Sequence, residues 1–207
     1  MSKCLQYGSG FDGPEEWINF DASPMIILAK IPVFGKIIQK KRNLYISENI
    51  KYGNIVNGLL KHNGTCDAVY CSHVLEHLTY EEFITAIGNT YLLLKKGGVF
   101  RLVMPDLRKL CENYLKDEAN PKAAVEFING SGMALRQRRK LRDRIISVFA
   151  NSRHQWLWDY NAAKEILERA GFTEIRICEY NDSAITEFKM VENKERFNEA
   201  LAIEAKK

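Results

Sequence analysis

The sequence predicts an α/β fold, a mostly parallel sheet with helices on both faces. Three observations predict it. Short apolar runs alternate repeatedly with turn residues and amphipathic segments, the pattern of strands joined by helical crossovers. The 207 residues amount to one domain with elaborations, at roughly 150 residues per domain. Hydrophobic residues at 46% and charged residues at 27% are ordinary for a globular chain, which excludes disordered, collagen-like and disulfide-scaffold classes.

The elements follow in order. Lys3 to Tyr7 reads as a strand ending at Gly8-Ser9-Gly10, and Trp17 to Phe20 as a second ending at Asp21. The stretch between them is too short and too broken for a helix. Pro24 to Arg42 carries Ile26, Ile27, Leu28, Ile31, Val33, Phe34, Ile37 and Ile38. Pro32 and Gly35 divide it into two short helical turns. Ile55-Val56 reads as the core of a third strand and Asp67 to Ser72 as a fourth. Thr79 followed by Glu82 predicts a capping box. The helix it opens buries Phe83, Ile84, Ile87, Tyr91 and Leu94 on one face, and Lys95-Lys96-Gly97-Gly98 predicts its end. Val99 to Met104 is a strand halted by Pro105, and Leu107, Leu110, Cys111, Tyr114 and Leu115 mark an amphipathic helix. Residues from about 117 to 153 read as a helical, partly basic insertion within the single domain of residues 1–207. Asn161 to Ala170 is a helix stopped by Gly171, and Glu174 to Cys178 and Ala200 to Ala205 are closing strands.

Charge is concentrated. Arg136 to Arg144 holds six basic residues and one acid, a local +5 in a chain of net +4, so the remainder is close to neutral. That is one basic insert on a neutral domain, and no nucleic-acid partner is expected. The insert reads better as a solvated helix face than as a phosphate contact. The longest apolar run, Met25 to Ala29, is far short of the ~18 residues that span a bilayer, so no transmembrane segment is expected. The apolar-then-basic Met25 to Arg42 leaves peripheral membrane contact open, although its prolines favour a lid or ordinary packing. The N-terminus lacks the apolar region of a secretory signal. Five scattered cysteines without a C-x-x-C fit reduced thiols, and a cytoplasmic location is expected.

Gly8-Ser9-Gly10-Phe11-Asp12-Gly13 matches G-x-G-x-x-G. A pyrophosphate-binding reading requires a helix to start there, and Pro14 with a strand from Trp17 leaves no room for one. A ligand without phosphate needs less: a bend that lets the backbone approach closely, and a strand-end carboxylate, here Asp21, to accept ribose hydroxyls. S-adenosylmethionine answers that description; on the turn alone, a plain glycine-rich surface turn with Asp21 a solvated strand-end acid is the alternative.

Further segments carry a resemblance. Asp67-Ala68-Val69-Tyr70-Cys71-Ser72-His73-Val74-Leu75-Glu76-His77-Leu78 is similar to the fourth-strand signature of class I S-adenosylmethionine-dependent methyltransferases. Leu94 to Asp106 resembles their "LKPGG" turn and fifth strand, with Lys96 where proline is usual. Gly8-Ser9-Gly10, Gly13, Trp17-Ile18-Asn19 and Asp21 resemble a compact branch lacking the first helix, as do Arg153-His154-Gln155-Trp156, Ala170-Gly171-Phe172 and Ala202 to Ala205. Branch members are often associated with glycan and surface-polysaccharide biosynthesis.

The resemblance implies a Rossmann-like seven-stranded sheet of order 3-2-1-4-5-7-6 with the seventh strand antiparallel. It implies S-adenosylmethionine as cofactor, bound around Tyr7, Gly8, Ser9 and Gly10, with Asp21 at the ribose, Asn57 or Gly58 near the adenine, and Ser72 and His73 near the methyl-bearing sulfur. Where branch members carry "YGDIV", this chain has Tyr52-Gly53-Asn54-Ile55-Val56. The implied activity is O-methylation, with a sugar hydroxyl of a glycan or nucleotide sugar as acceptor. The alternatives are a non-catalytic S-adenosylmethionine-binding protein, or a methyltransferase acting on RNA or a small molecule.

Methyl transfer from a sulfonium asks mainly for alignment, and an alcohol acceptor also needs a group to take its proton. His73 at the end of the fourth strand, His154 beside Trp156 and Trp158, and Asp106 are the catalytic candidates. Asp106 and Asp159 also suit helix caps. His73-x-x-Glu76-His77 reads as H-x-x-E-H, a zinc-hydrolase pattern that expects one long helix, whereas here it straddles a strand end and a helix start. Some methyltransferases bind Mg²⁺ through E-x-x-E-H at this position, but His73 replaces the first acid and a hard cation prefers oxygen. No metal is expected.

Overall fold

Among the described residues seven strands form: β1 (Cys4–Tyr7), β2 (Trp17–Asp21), β3 (Ile50–Tyr52), β4 (Cys66–Ser72), β5 (Leu94–Pro105), β6 (Thr173–Ile177) and β7 (Ala200–Lys206). They make one sheet in the order β3-β2-β1-β4-β5-β7-β6. The β1, β2, β3, β4 and β5 neighbours run parallel, and β7 lies antiparallel between β5 and β6. The α-helices among the described residues are α1 (Pro24–Ala29), α2 (Tyr80–Leu93), α3 (Leu107–Lys116), α4 (Ala123–Gly130) and α5 (Tyr160–Ala170). The computed structural model describes residues 2–31, 45–117, 119–134 and 153–207. The second half of the apolar segment before Arg42 and the whole basic run Arg136 to Arg144 lie outside the described residues.

Local chemistry sets the element ends. Thr79 and Glu82 form the expected capping box on α2. Asp106 and Asp159 cap α3 and α5 through the N–H groups of Arg108 at 2.9 Å and Ala162 at 2.8 Å. Gly171 closes α5 in the left-handed conformation.

Two expectations are corrected. The third strand is Ile50–Tyr52, whose register sets Asn19, Phe20 and Asp21 beside Ile50, Lys51 and Tyr52. Ile55–Asn57 is instead a 3₁₀ turn, with the Asn54 side chain accepting from the Val56 N–H at 2.9 Å. The β5 strand begins at Leu94, directly after α2, and takes a register shift between Cys66 and Ala68 on its partner.

The sheet is buried on both sides. Helices α2 and α5 press Phe83, Ile87, Ile166 and Leu167 against Leu5, Val69, Phe100 and Leu102. On the opposite face Cys4, Trp17, Tyr70 and Val103 are covered by Phe188, which comes from a 3₁₀ turn between β6 and β7. Ile26 of α1 packs on Ile50 at the β3 edge. Beneath Phe188 and Phe197 lies Arg101, buried in β5 and within 5.8 Å of both ring centres. Its guanidinium reaches Glu192, Asp182 at 2.8 Å and Glu204 at 3.0 Å, so this buried charge is fully paired.

Candidate active site

The parallel strands end on one side of the sheet, where ligands of such folds bind. Here a cavity of about 460 Å³ opens over the ends of β1, β2 and β4. Its floor is the bend after β1. Gly8 and Gly10 adopt φ of +73° and +72°, a left-handed backbone that favours glycine. A Cβ on Gly8 would stand 2.0 Å from Val74 Cγ2, whereas one on Gly10 would meet nothing within 4 Å, leaving that position open for a ligand.

Asp21 is pinned beside the bend. Its Oδ2 accepts from the Gly10 N–H at 2.9 Å and its Oδ1 from the Ser23 N–H at 2.7 Å. Each carboxylate oxygen keeps a further acceptor direction, and the residue lines the cavity. Buried amides stand in for the missing helix. Gln6 Nε2 donates to Asn19 Oδ1 at 2.7 Å, and Asn19 Nδ2 donates to the Pro14 and Trp17 carbonyls at 2.8 and 3.0 Å. Gly13 sits so close over this pair that a Cβ would come within 2.7 Å of both side chains.

The opposite wall is the turn after β4. His73 has φ of +53° and donates its backbone N–H to the Val103 carbonyl at 2.8 Å. Its Nε2 pairs with the Arg196 carbonyl at 3.0 Å, and its Nδ1 stands 3.2 Å from Glu76 Oε1. The Glu76 carboxylate raises the His73 pKa above the ordinary imidazole value. Arg196 sends its guanidinium to the Ser72 carbonyl at 3.0 Å. Gln155 and Trp156 donate their N–H groups to the Glu76 carbonyl at 2.7 and 3.3 Å, which docks the segment carrying His154 and Trp156 on this turn.

Of the residues singled out in the sequence, Tyr7, Gly8, Gly10, Asp21 and His73 line the cavity. Ser9 and Ser72 line a neighbouring cavity of about 440 Å³, which shares Tyr7, Gly8 and Arg196 with the first. Asn57 and Gly58 line neither, whereas Gly53 to Val56 line the first. The displacement follows from the third strand: with β3 ending at Tyr52, the loop that meets the cavity starts at Gly53. Asn54 caps the turn there, a role an aspartate could also fill, but it offers the cavity no carboxylate. Asp106 is engaged as a helix cap and His154 packs behind the wall, and neither lines the cavity. Arg196, Val74 and Leu78 were missed. Arg196 belongs to a 3₁₀ turn far along the chain, and no spacing rule links it to β4. The cysteines are free and mostly buried, and burial pushes the Cys4 and Cys178 thiols up to about 12, which makes those two poor nucleophiles.

A seven-stranded sheet of this order with its seventh strand antiparallel is the class I methyltransferase architecture. The family described as "Methyltransferase domain" matches residues 8–177, and the chain belongs to that family. It is an S-adenosylmethionine-dependent methyltransferase. No curated protein sequence matches it. Among solved structures it is similar in fold to a SAM-dependent methyltransferase from Archaeoglobus fulgidus, at 18% identity and TM-score 0.51, covering 100% of this chain and 86% of that one. It is also similar to the PH0226 protein from Pyrococcus horikoshii, at 14% identity and TM-score 0.51, covering 99% and 81%. A third is the CMeT domain of the citrinin polyketide synthase, at 13% identity and TM-score 0.51, where this chain spans 46% of that one. Among the described residues no helix is long and apolar enough to cross a membrane.

Proposed function

We propose that the chain is an O-methyltransferase whose acceptor is a sugar hydroxyl, on a glycan or a nucleotide sugar. When bound, S-adenosylmethionine supplies an activated methyl group on a sulfonium. The chain's own residues hold and orient. Gly8 and Gly10 let the backbone approach the amino-acid part, Arg196 meets its carboxylate, Asp21 accepts the ribose hydroxyls, and Gly53 to Val56 border the adenine. His73, on the cavity wall at the end of β4, orients the acceptor hydroxyl. Asp106 serves the site from behind as a helix cap.

The observation that carries the acceptor class is an aromatic pair beside this wall. Trp156 and Tyr80 are 43% and 37% exposed, with ring centres 5.3 Å apart. The Trp156 backbone is tied to the turn that carries His73. Exposed aromatic faces suit the apolar faces of sugar rings, whose hydroxyls then lie at the edge for hydrogen bonding. The free cysteines support a reducing, cytoplasmic setting.

The test is labelled methyl transfer from S-adenosylmethionine to a panel of nucleotide sugars, oligosaccharides, RNA and small phenols. Transfer to a sugar, with KM raised in Trp156→Ala, supports the reading. Transfer to RNA or to a phenol alone refutes the acceptor class. Cofactor binding with no transfer to any member favours the non-catalytic alternative.

A further inference from the structure

Behind the His73 wall sits a buried carboxylate whose neighbours are imidazoles. Glu76 is 1% exposed, and neither of its oxygens accepts a hydrogen bond of good geometry among the described residues. A buried carboxylate is costly unless a cation neutralises it or it coordinates a metal. Three imidazoles surround it. Glu76, His77 and His154 each present one ligand atom, all within 4.8 Å of one another. His73 Nδ1 stands 3.2 Å and His154 Nε2 3.9 Å from Glu76 Oε1.

Each imidazole is held by its other nitrogen. His154 Nδ1 lies 2.8 Å from the Ser131 carbonyl, His77 Nδ1 2.9 Å from the Arg153 carbonyl, and His73 Nε2 3.0 Å from the Arg196 carbonyl. A carbonyl only accepts, so each of these nitrogens carries the proton. The remaining nitrogens of His73 and His154 face the carboxylate, at 3.2 and 3.9 Å. Backbone carbonyls that fix the tautomer of a ligating imidazole are the usual outer support of a metal site. Gly132 makes room for this arrangement, since a Cβ there would lie 2.3 Å from His154 Nδ1.

We propose that Glu76, His77 and His154 form a binding site for a divalent transition-metal ion of the zinc class. Two imidazoles and one carboxylate suit such ions, whereas Mg²⁺ and Ca²⁺ demand oxygen ligands. Ligands about 2.0–2.2 Å from one tetrahedral ion stand roughly 3.5 Å apart, so the trio closes on the metal by about 1 Å. Three protein ligands leave a position open for an exogenous oxygen. His77 also lines the cofactor cavity, so the ion would stand on the wall beside the acceptor, and a hydroxyl of the acceptor is the class of ligand that completes its shell. The site itself does not depend on the sugar reading. The sequence expectation of no metal weighed His73, Glu76 and His77 alone; His154, 77 residues beyond His77, reaches the cluster through the backbone bonds of the segment that follows it.

The experiment is a Co²⁺ titration of metal-stripped full-length protein, followed by visible d–d absorption, with Zn²⁺ and Mg²⁺ as competitors. One equivalent of Co²⁺ with the intense bands of a low-coordinate ion is expected, displaced by Zn²⁺ and indifferent to excess Mg²⁺. Glu76→Gln and His154→Ala are each expected to weaken binding at least tenfold. No stoichiometric bands in the wild-type protein would overturn the proposal, leaving a proton shared between His73 and Glu76 as the cation in the cluster. Unchanged binding in both variants would overturn it equally. Calorimetry with S-adenosylhomocysteine on the same stripped protein separates the two ideas, since nucleoside binding without cobalt binding removes the metal and keeps the methyltransferase.

Discussion

Gly8→Ala puts the cavity floor to its most direct test. The new methyl group would start 2.0 Å from Val74 Cγ2, at a backbone φ of +73°. The left-handed conformation costs an alanine about 1–2 kcal/mol, and forcing a methyl into a filled site typically costs about 1–3 kcal/mol more. A loss of roughly 2–5 kcal/mol in unfolding free energy is expected on these two counts. Val74→Ala removes the atom that is struck and leaves the φ unchanged. In Gly8→Ala/Val74→Ala the steric part should therefore be relieved, giving a favourable coupling of about 1–3 kcal/mol. Urea denaturation of the four proteins yields the cycle, and calorimetry with S-adenosylhomocysteine reports whether the pocket survives. Gly8→Ala within about 0.5 kcal/mol of wild type would refute the reasoning, because changes of that size are typical of unconstrained surface positions. A coupling near zero would refute the Val74 contact in particular.

Three further outcomes are expected. Asp21→Ala should weaken S-adenosylhomocysteine binding at least tenfold by calorimetry, since a hydrogen bond to a charged acceptor contributes about 1.5–3 kcal/mol, and Asp21→Asn should fall between it and wild type. Arg101→Met should cost roughly 3–5 kcal/mol in urea denaturation, because it strands the buried Glu192; Arg101→Met/Glu192→Leu should recover part of that loss. Stability should also fall in acid through Asp182. Burial pushes its carboxyl up, but hydrogen bonds from Arg176, the Glu179 N–H and Arg101 outweigh this and hold its pKa down at about 2. A folded pKa below the unfolded value stabilises above the unfolded pKa and is lost as pH falls through about 2. The melting temperature should therefore drop from about pH 4 downward, and less steeply in Asp182→Asn.

The parts of the fold that could be read in the sequence are those governed by neighbours along the chain. Thr79 with Glu82, Asp159 and Gly171 mark helix ends because a cap is a bond between residues two or three apart. The helix-free crossover was legible because Pro14 and the strand at Trp17 leave no room for a helix. The third strand was not. Ile50–Tyr52 is three residues long and exposes Lys51 and Tyr52, so it has neither the apolar run nor the alternation that marks a strand. With β3 placed there, the loop that lines the cavity is Gly53 to Val56 rather than Asn57 and Gly58. Residues brought in across the tertiary structure left no local trace: Arg196 beside Ser72, and His154 beside Glu76.

The short span between β1 and β2 has a consequence for how the molecule is assembled. In parallel α/β sheets a crossover helix ordinarily shields the strands it joins, so each unit closes itself soon after it is made. Here Trp17 and Tyr70 wait for Phe188, which lies at the far end of the chain. Contacts between such distant segments carry a large loop-closure cost and form late. On the ribosome, one side of the nascent sheet would stay greasy and uncovered until the last strands emerge, a natural point for a chaperone to intervene.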